Sequence, residues 1–124
     1  MSELTIEDHL SAWPTTHVAL FRALEESVRA LGDVRVAVSK SMVTFRGTRR
    51  GFVGLSPRAR GVDGYFDIQR SLGTDDPRIL RVDPYQRNLF VHHFRLTGPD
   101  ELDDEFRSWL GEAFAVGNGA HRSA

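Results

Sequence analysis

The side chains best suited to chemistry in this sequence are basic, and they are concentrated in its middle. Residues 34–96 carry eleven Arg and one Lys against five Asp, whereas residues 1–33 and residues 97–124 each carry two Arg against six acidic residues. The formal net charge of −1 hides this distribution. A basic segment between acidic flanks predicts that one face of the folded chain can receive an anion.

Two groups of these basic residues are expected at the ends of a sheet. The middle of the chain consists of strand-like runs separated by short connections with Gly or Pro, a pattern typical of antiparallel hairpins. In such a meander the first and third turns lie at one end of the sheet and the second turn lies at the other. The anion-binding candidates are therefore Lys40, Arg58 and Arg60 at one end, and Arg46, Arg49 and Arg50 at the other. Guanidinium groups bind phosphate or carboxylate with two parallel hydrogen bonds. A solvated basic surface is the alternative interpretation.

Three further residues are secondary candidates. Tyr65 is expected on the outward face of a strand, where its ring could stack on a base. His93 and Arg95 share one predicted strand face, so His93 could serve as a base and Arg95 as an anion clamp. His92 points to the opposite face from His93, because successive strand residues alternate, and the pair therefore cannot chelate one metal ion. A hydrogen-bonded structural role is the alternative for either histidine.

Several catalytic motifs are missing from the sequence. It has no Gly-x-x-x-x-Gly-Lys, no Gly-x-Gly-x-x-Gly between a strand and a helix, no Gly-x-Ser-x-Gly and no His-Glu-x-x-His. It has no cysteine, which excludes disulfides, thiolate metal sites and thiol nucleophiles. These absences favour a non-catalytic protein, without deciding the question of activity. We predict no catalytic residue, no metal site and no cofactor.

The elements that position these residues follow from the periodicity of apolar side chains. Thr5 and Asp8 have the spacing of a capping box and predict a short first helix through Ala12. A second helix, ending at Gly32, is predicted from apolar residues spaced by three or four: Val18, Phe21, Leu24, Val28 and Leu31. A third helix is predicted to begin at a cap on Thr97 or Gly98 and to bury a similar stripe: Leu102, Phe106, Trp109, Leu110 and Ala113.

Between the second and third helices the period changes to two, which is typical of strands. Five strand-like runs are predicted, at residues 34–38, 42–46, 52–56, 62–70 and 89–96. The irregular residues 71–88 contain either a hidden element, such as a helical turn opening at Asp76, or a binding lid. The predicted fold class is α+β in two layers, with N-terminal helices, an antiparallel meander of about five strands, and the C-terminal helix on the same sheet face. We predict a single domain over residues 1–115 and a flexible tail over residues 116–124.

The sequence also bears on location. No apolar run approaches the 18 or so residues of a membrane span, and the acidic N-terminus does not have the pattern of a signal peptide. The expected location is therefore the cytoplasm, without membrane association.

Short motifs along the chain resemble a family of bacterial proteins, the domain of unknown function numbered 5655. They lie at residues 6–10, 20–24, 31–32, 40–46 and 97–103, and they comprise the first acidic helix, a Leu-Phe-rich helix ending in Leu31-Gly32, a hairpin from Lys40 to Phe45-Arg46, and the start of the last helix. The resemblance spans roughly residues 4–115 and departs at residues 71–88. It implies an uncharacterised small α+β domain and carries no reaction over to this chain.

Three function hypotheses follow from these observations. The first is a non-catalytic binding module that uses its basic sheet region for an anionic partner, either nucleic acid or the acidic surface of another protein. The second is a small enzyme acting on a phosphorylated or carboxylated molecule. The third is a self-associating accessory domain. The partner and the oligomeric state stay open at this point.

Overall fold

The structure, a computed structural model, describes residues 4–122 of the chain. The ends of the predicted tail, Ser123 and Ala124, therefore lie outside the described residues. The helices are α1 (Ile6–Leu10), α2 (Thr15–Arg29) and α3 (Asp104–Gly117), with short 3-10 turns at Pro99–Glu101 and Ala120–Arg122. The strands are β1 (Arg35–Val38), β2 (Val43–Arg46), β3 (Gly51–Arg58), β4 (Gly61–Ile68), β5 (Ile79–Gln86) and β6 (Leu89–Leu96).

The strands form one antiparallel sheet in the order β1-β2-β3-β4-β6-β5. The predicted α+β class is confirmed, with six strands rather than five. β1 to β4 follow one another as a meander. The next strand in sequence, β5, lies at the sheet edge, and β6 lies between β4 and β5. This insertion brings β6 residues opposite β4 and β5 at once.

The sixth strand, β5, occupies the stretch that looked irregular in sequence. The chain makes a single turn at Asp76, in which the Ile79 N–H donates to the Asp76 carbonyl over 3.0 Å, and the hidden element is the strand that follows directly rather than a helical turn that continues past Ile79. The pairing of β5 with β6 shifts register between Ile79 and Arg81 and again between Pro84 and Gln86. These irregularities break the alternation of apolar residues. An edge strand tolerates a proline that an interior strand would not.

The predicted N-terminal caps of α1 and α3 can be compared with the structure. The capping box of α1 is confirmed, because Thr5 and Asp8 each accept a hydrogen bond from the other's backbone N–H. The predicted start of the last helix is wrong: Thr97 and Gly98 precede the 3-10 turn, and Asp103 caps α3 by accepting from the Phe106 N–H over 2.9 Å. The backbone of Leu102 separates the two segments, because its φ of −87° and ψ of 71° are not helical.

One apolar core lies between the helices and the sheet. Its members include the predicted stripes of α2 and α3 and the inward residues of the strands. The fully buried aromatic side chains are Phe21, Phe45, Phe52, Phe66, Phe94 and Phe106. The two long helices contact β3 and β4 and each other. They therefore cover one face of the sheet, and these two helices do not cover the opposite face.

The chain after residue 115 is joined to the β2–β3 turn. Helix α3 continues through Gly117, and the Gly117 carbonyl accepts from the N–H groups of Arg49 and Arg50 over 2.8 and 3.1 Å. The Asn118 side-chain oxygen accepts from the backbone N–H of Thr48 over 2.9 Å. The first residues of the segment predicted as a tail are thus held in place. Within residues 4–122, no helix combines the length and the apolar character needed to cross a bilayer.

Candidate functional site

Strand alternation separates the two faces of the sheet. On β4, Phe66 and Ile68 are buried against the helices. The residues that alternate with them along the strand, Asp63, Tyr65 and Asp67, point to the opposite side, as their positions in the strand predict. We call that side the open face. The residues that register with them on β6, Arg95, His93 and Val91, share it.

A cleft of about 470 Å³ crosses the open face from β3 to β5. This volume falls within the range of about 300–1,000 Å³ that small-molecule pockets occupy. The lining residues come from four neighbouring strands and from the residue before β2: Met42, Ser56, Arg58, Asp63, Gly64, Tyr65, Leu80, Arg81, His93 and Phe94. The cleft depends on β6 lying between β4 and β5, because that order places His93 beside Tyr65 and Arg81 beside His93.

The floor of the cleft is apolar because Gly54 has no side chain. A Cβ atom at Gly54 would clash with the ring of Tyr65 and would lie 2.7 Å from the sulfur of Met42. The ring of Tyr65 and the thioether of Met42 therefore lie across the β3 backbone at this glycine. Burial raises the pKa of Tyr65, so its hydroxyl stays protonated at neutral pH. The floor offers a flat, uncharged surface to a ligand.

Arg58 stands at one end of the cleft and keeps hydrogen-bonding capacity to spare. Its guanidinium donates to the carbonyls of Pro57 and Ser41 over 2.9 and 3.3 Å. The hydroxyl of Ser56 donates to the same Ser41 carbonyl. Arg58 has no carboxylate within ion-pair distance among residues 4–122. A guanidinium has five donors, so Arg58 can still bind an anion from solution.

The opposite end of the cleft carries a compact charged group. Nε2 of His93 lies 3.2 Å from Oδ2 of Asp83, and Nε of Arg81 donates to the same oxygen over 2.8 Å. Leu80, 46% exposed at the β5 bulge, borders this end of the cleft. Arg81 and Asp83 thus partly neutralise each other.

Arg95 is held by a partner within the fold. Its Nε and Nη2 donate to the two carboxylate oxygens of Asp63 over 2.8 and 3.0 Å. The register of β4 and β6 places the two residues directly opposite each other. As an anion clamp, Arg95 would bind a ligand with this edge of its guanidinium. In the structure the same edge binds Asp63.

The first predicted basic group does not converge on one surface. Only Arg58 of this group lines the cleft. Lys40 borders a separate small depression beside Asp8 and His9, and Arg60 is exposed in the β3–β4 turn. The sequence had placed Arg58 among the anion-binding candidates and Tyr65 and His93 among the secondary candidates, whereas the structure brings all three to one cleft.

The second predicted basic group also divides. Arg46 borders a depression that Asp33 and Thr48 also line, and the side chain of Arg49 lies against Gly119. Arg50 turns to the open face and donates from Nη2 to Oδ2 of Asp67 over 2.7 Å. Its guanidinium also lies over the ring of Tyr85, with 5.3 Å between the guanidinium carbon and the ring centroid.

Asp67 is the notable residue that sequence reasoning missed. It is only 2% exposed, and its Oδ1 atom has no hydrogen-bond partner in the described structure. Burial raises the pKa of Asp67 to about 6, although Arg50 lowers it in part. A carboxylate in the middle of an interior strand was the available signal, because aspartate is disfavoured there.

Metal binding requires several His, Asp or Glu side chains that converge on one point. In the part of the chain that the structure describes, no three His, Asp or Glu side chains converge as ligands of a metal ion would. The histidine of the cleft, His93, is surrounded by Asp83 and Arg81 instead.

The comparisons with known proteins place the chain without assigning it an activity. A family model described as "Domain of unknown function (DUF5655)" matches residues 6–117. No curated protein and no solved structure matches the chain. The matched residues include every helix and strand except the last 3-10 turn.

Proposed function

The chain belongs to the DUF5655 family, whose description assigns no activity, and we propose that the protein is a non-catalytic module that binds a compact organic anion in the cleft. The proposal rests on the open face alone. The observation that carries the proposal is Arg58, a guanidinium without a carboxylate partner in the described structure, at the end of a cleft with an apolar floor. A charged group that recognises an anion beside apolar surface is the usual composition of a ligand pocket.

The rest of the cleft defines the body of the ligand. Tyr65 and Met42 form the floor, and Leu80 borders the far end. A carboxylate or phosphate at Arg58 would be attached to an apolar or aromatic body lying along Tyr65. Bare inorganic anions would use Arg58 alone and would gain nothing from the floor.

The distribution of the other basic residues favours a compact ligand over a polyanion. Lys40, Arg46 and Arg58 border three separate depressions, and Arg50, Arg81 and Arg95 are paired with carboxylates. A nucleic acid needs a continuous row of free cations along its backbone. The enzyme hypothesis has less support, because Nε2 of His93, which lines the cleft, already contacts Asp83 and Arg81.

The test uses two arginines of the same turn. Benzoate and phenyl phosphate serve as probes of the cleft, and binding is measured by calorimetry and by the rise in melting temperature. Replacing Arg58→Ala should weaken binding about tenfold or more, the effect of losing a charge-assisted hydrogen bond of roughly 1.5–3 kcal/mol. The matched control is Arg60→Ala, which should leave the affinity within about twofold, since Arg60 does not line the cleft.

Two outcomes would contradict the proposal. One is that neither probe binds the wild-type protein at low salt. The other is that heparin, single-stranded DNA or duplex DNA binds with a steep salt dependence and with equal losses for Arg58→Ala and Arg60→Ala. Each neutralised phosphate on duplex DNA contributes a log–log slope of about −0.9, so a polyanion is recognised by its salt titration.

A further inference from the structure

Arg50, Asp67 and Tyr85 form a second group on the open face, apart from Arg58. Arg50 is 24% exposed, whereas the Asp67 carboxylate that it contacts is 3% exposed. Tyr85 is 62% exposed, and Arg50 lies over its ring. The guanidinium is thus in contact with a buried acid on one side and with an exposed aromatic ring on the other.

The surroundings of Asp67 contain few charges. Arg50 precedes β3, Tyr65 lies two positions away on β4, and Tyr85 belongs to β5. From β6, the residue in register with Asp67 is Val91, which is uncharged, and beyond it on β5 lies Asp83, which is paired with Arg81 and contacts His93. Arg46 on β2 acts on Tyr65. Arg50 is therefore the cation that stabilises the ionised form of Asp67, and Oδ1 is left without a donor in the described structure.

We propose that Arg50 is a second anion-binding group on the open face, and that an external anion replaces Asp67 as the partner of Arg50 only when Asp67 takes up a proton. This site is distinct from the cleft and does not depend on the proposed function. Its ligand is a small oxyanion that accepts hydrogen bonds from a guanidinium, and the exposed ring of Tyr85 borders it.

The reason lies in the cost of leaving Asp67 charged and buried. When Arg50 turns to an external anion, Asp67 loses the interaction that offsets its desolvation, and a buried carboxylate without a partner takes up a proton. The exchange balances: the external anion replaces the carboxylate on Arg50, and one proton moves from solvent to Asp67. The net charge of the site is unchanged for a singly charged anion and becomes more negative by one for a dianion such as sulfate.

Proton uptake makes the affinity depend on pH in a defined way. With a pKa of about 6 in the free protein, Asp67 is largely neutral near pH 5, so Arg50 is available without a proton. Above pH 6, the affinity for the anion should fall about tenfold per pH unit. The affinity should therefore be roughly thirtyfold lower at about pH 7.5 than at about pH 5.

The experiment uses sulfate, whose charge is constant over this range. Calorimetry is performed on the Arg58→Ala protein, so that binding in the cleft does not contribute, and in buffers with different ionisation enthalpies, so that proton uptake is counted. We expect uptake close to one proton per sulfate near pH 7.5 and close to none near pH 5. Asp67→Asn should bind sulfate at both pH values with the affinity of the low-pH protein and without proton uptake.

Control variants separate the outcomes. Arg50→Gln should lose sulfate binding at both pH values, whereas Arg49→Gln, from the same turn, should retain it. The proposal is overturned if sulfate binds without proton uptake near pH 7.5, if Asp67→Asn retains the pH dependence, or if the Arg58→Ala protein does not bind sulfate near pH 5. Loss of organic-anion binding by Arg58→Ala is measured in a separate experiment. The proposal for the cleft and the proposal for the Arg50 site are therefore tested independently.

Discussion

At the scale of single residues, His92 shows how the fold selects one protonation state. Its Nε2 accepts from the backbone N–H of Leu72 over 3.0 Å, so Nδ1 carries the proton and donates to the Phe90 carbonyl over 3.1 Å. The ring is fully buried and stacks on Phe66 at a centroid distance of 5.0 Å. Burial is the main cause that lowers the pKa of His92, since a charged ring would lose solvation and the Leu72 hydrogen bond.

The neutral state of His92 makes part of the stability pH-dependent. Because its pKa is lower in the folded chain than in the unfolded chain, the unfolded chain binds the proton more readily. The stabilisation is therefore fully present above the unfolded histidine pKa of about 6.5 and is lost as the pH falls below it. His92→Gln should cost about 1–3 kcal/mol near pH 7.5, because buried hydrogen bonds are removed.

Urea unfolding of the wild-type protein and His92→Gln near pH 7.5 and near pH 5 measures this effect. The difference in unfolding free energy should be smaller near pH 5. Asp67 acts in the opposite direction, since its raised pKa makes the folded chain lose stability as the pH rises toward and through about 6, but this contribution is common to both proteins and cancels. A difference that is equal at the two pH values contradicts the prediction.

At the scale of elements, Arg78 joins the β4–β5 connection to the start of α3. Its side chain is 8% exposed and donates to the carboxylates of Asp76, Asp103 and Glu105 over 2.8–2.9 Å. The guanidinium carbon lies 4.8 Å from the ring centroid of Trp109. Asp103 is also the cap of α3. One arginine thus fixes both the entry into β5 and the first turn of the helix.

We expect Arg78→Met to reduce the unfolding free energy by about 1–3 kcal/mol, because charge-assisted hydrogen bonds are lost while the exposed carboxylates regain water. Arg78→Lys should not restore the loss, since an ammonium cannot reproduce the planar fork of donors. Arg107→Ala on the same helix is the control: its pair with Asp104 is long, at 3.5 Å, and exposed, so a change below about 0.5 kcal/mol is expected. Equal losses for Arg78→Met and Arg107→Ala in urea unfolding would contradict this role.

At the scale of the whole molecule, a cluster of aromatic rings joins α3 to the sheet. Phe106 is fully buried and meets Phe94 and Phe66 edge to face at centroid distances of 5.0 and 5.8 Å. These rings lie beneath the strands that carry the cleft on their other side. The core and the open face therefore depend on the same two strands, β4 and β6.

Replacing Phe106→Ala should lower the unfolding free energy by about 3–5 kcal/mol, the cost of removing a buried aromatic ring and leaving a cavity. Phe114→Ala is the matched ring deletion, and it should cost less because Phe114 is only partly buried. Chemical denaturation of both variants measures the two losses. A smaller loss for Phe106→Ala than for Phe114→Ala would contradict this account of the core.

Local patterns in the sequence predict most of the fold and part of the site. The stripes of α2 and α3, the first four strands and the inward direction of Phe66 follow from apolar periodicity. β5 is hidden, because Pro84 and two register shifts break its alternation. The predicted start of α3 is early, because the Pro99–Glu101 turn carries the proline and acidic residues expected of a helix start.

The site was harder to predict because it joins residues far apart in the chain. Arg58, Tyr65 and His93 can each be selected by type and position. Their convergence requires β6 to lie beside β4, and no local signal specifies that order. The Arg50–Asp67 pair likewise links residues 17 positions apart across the sheet. Strand alternation puts Asp67 on the same outward face as Tyr65, and only the structure shows that this carboxylate is buried.

The position of β6 between β4 and β5 has a consequence for how the chain folds. β5 and β6 are joined by a tight turn at Asn88, whose φ of 64° is left-handed, so this hairpin can form from neighbouring residues. Docking it on β4 pairs Val62 with Leu96, which are far apart in the chain, so this pairing has a larger loop-closure cost than the β5–β6 hairpin. The cleft does not exist before that step. An anion held in the cleft therefore favours chains with the hairpin docked over partly assembled chains.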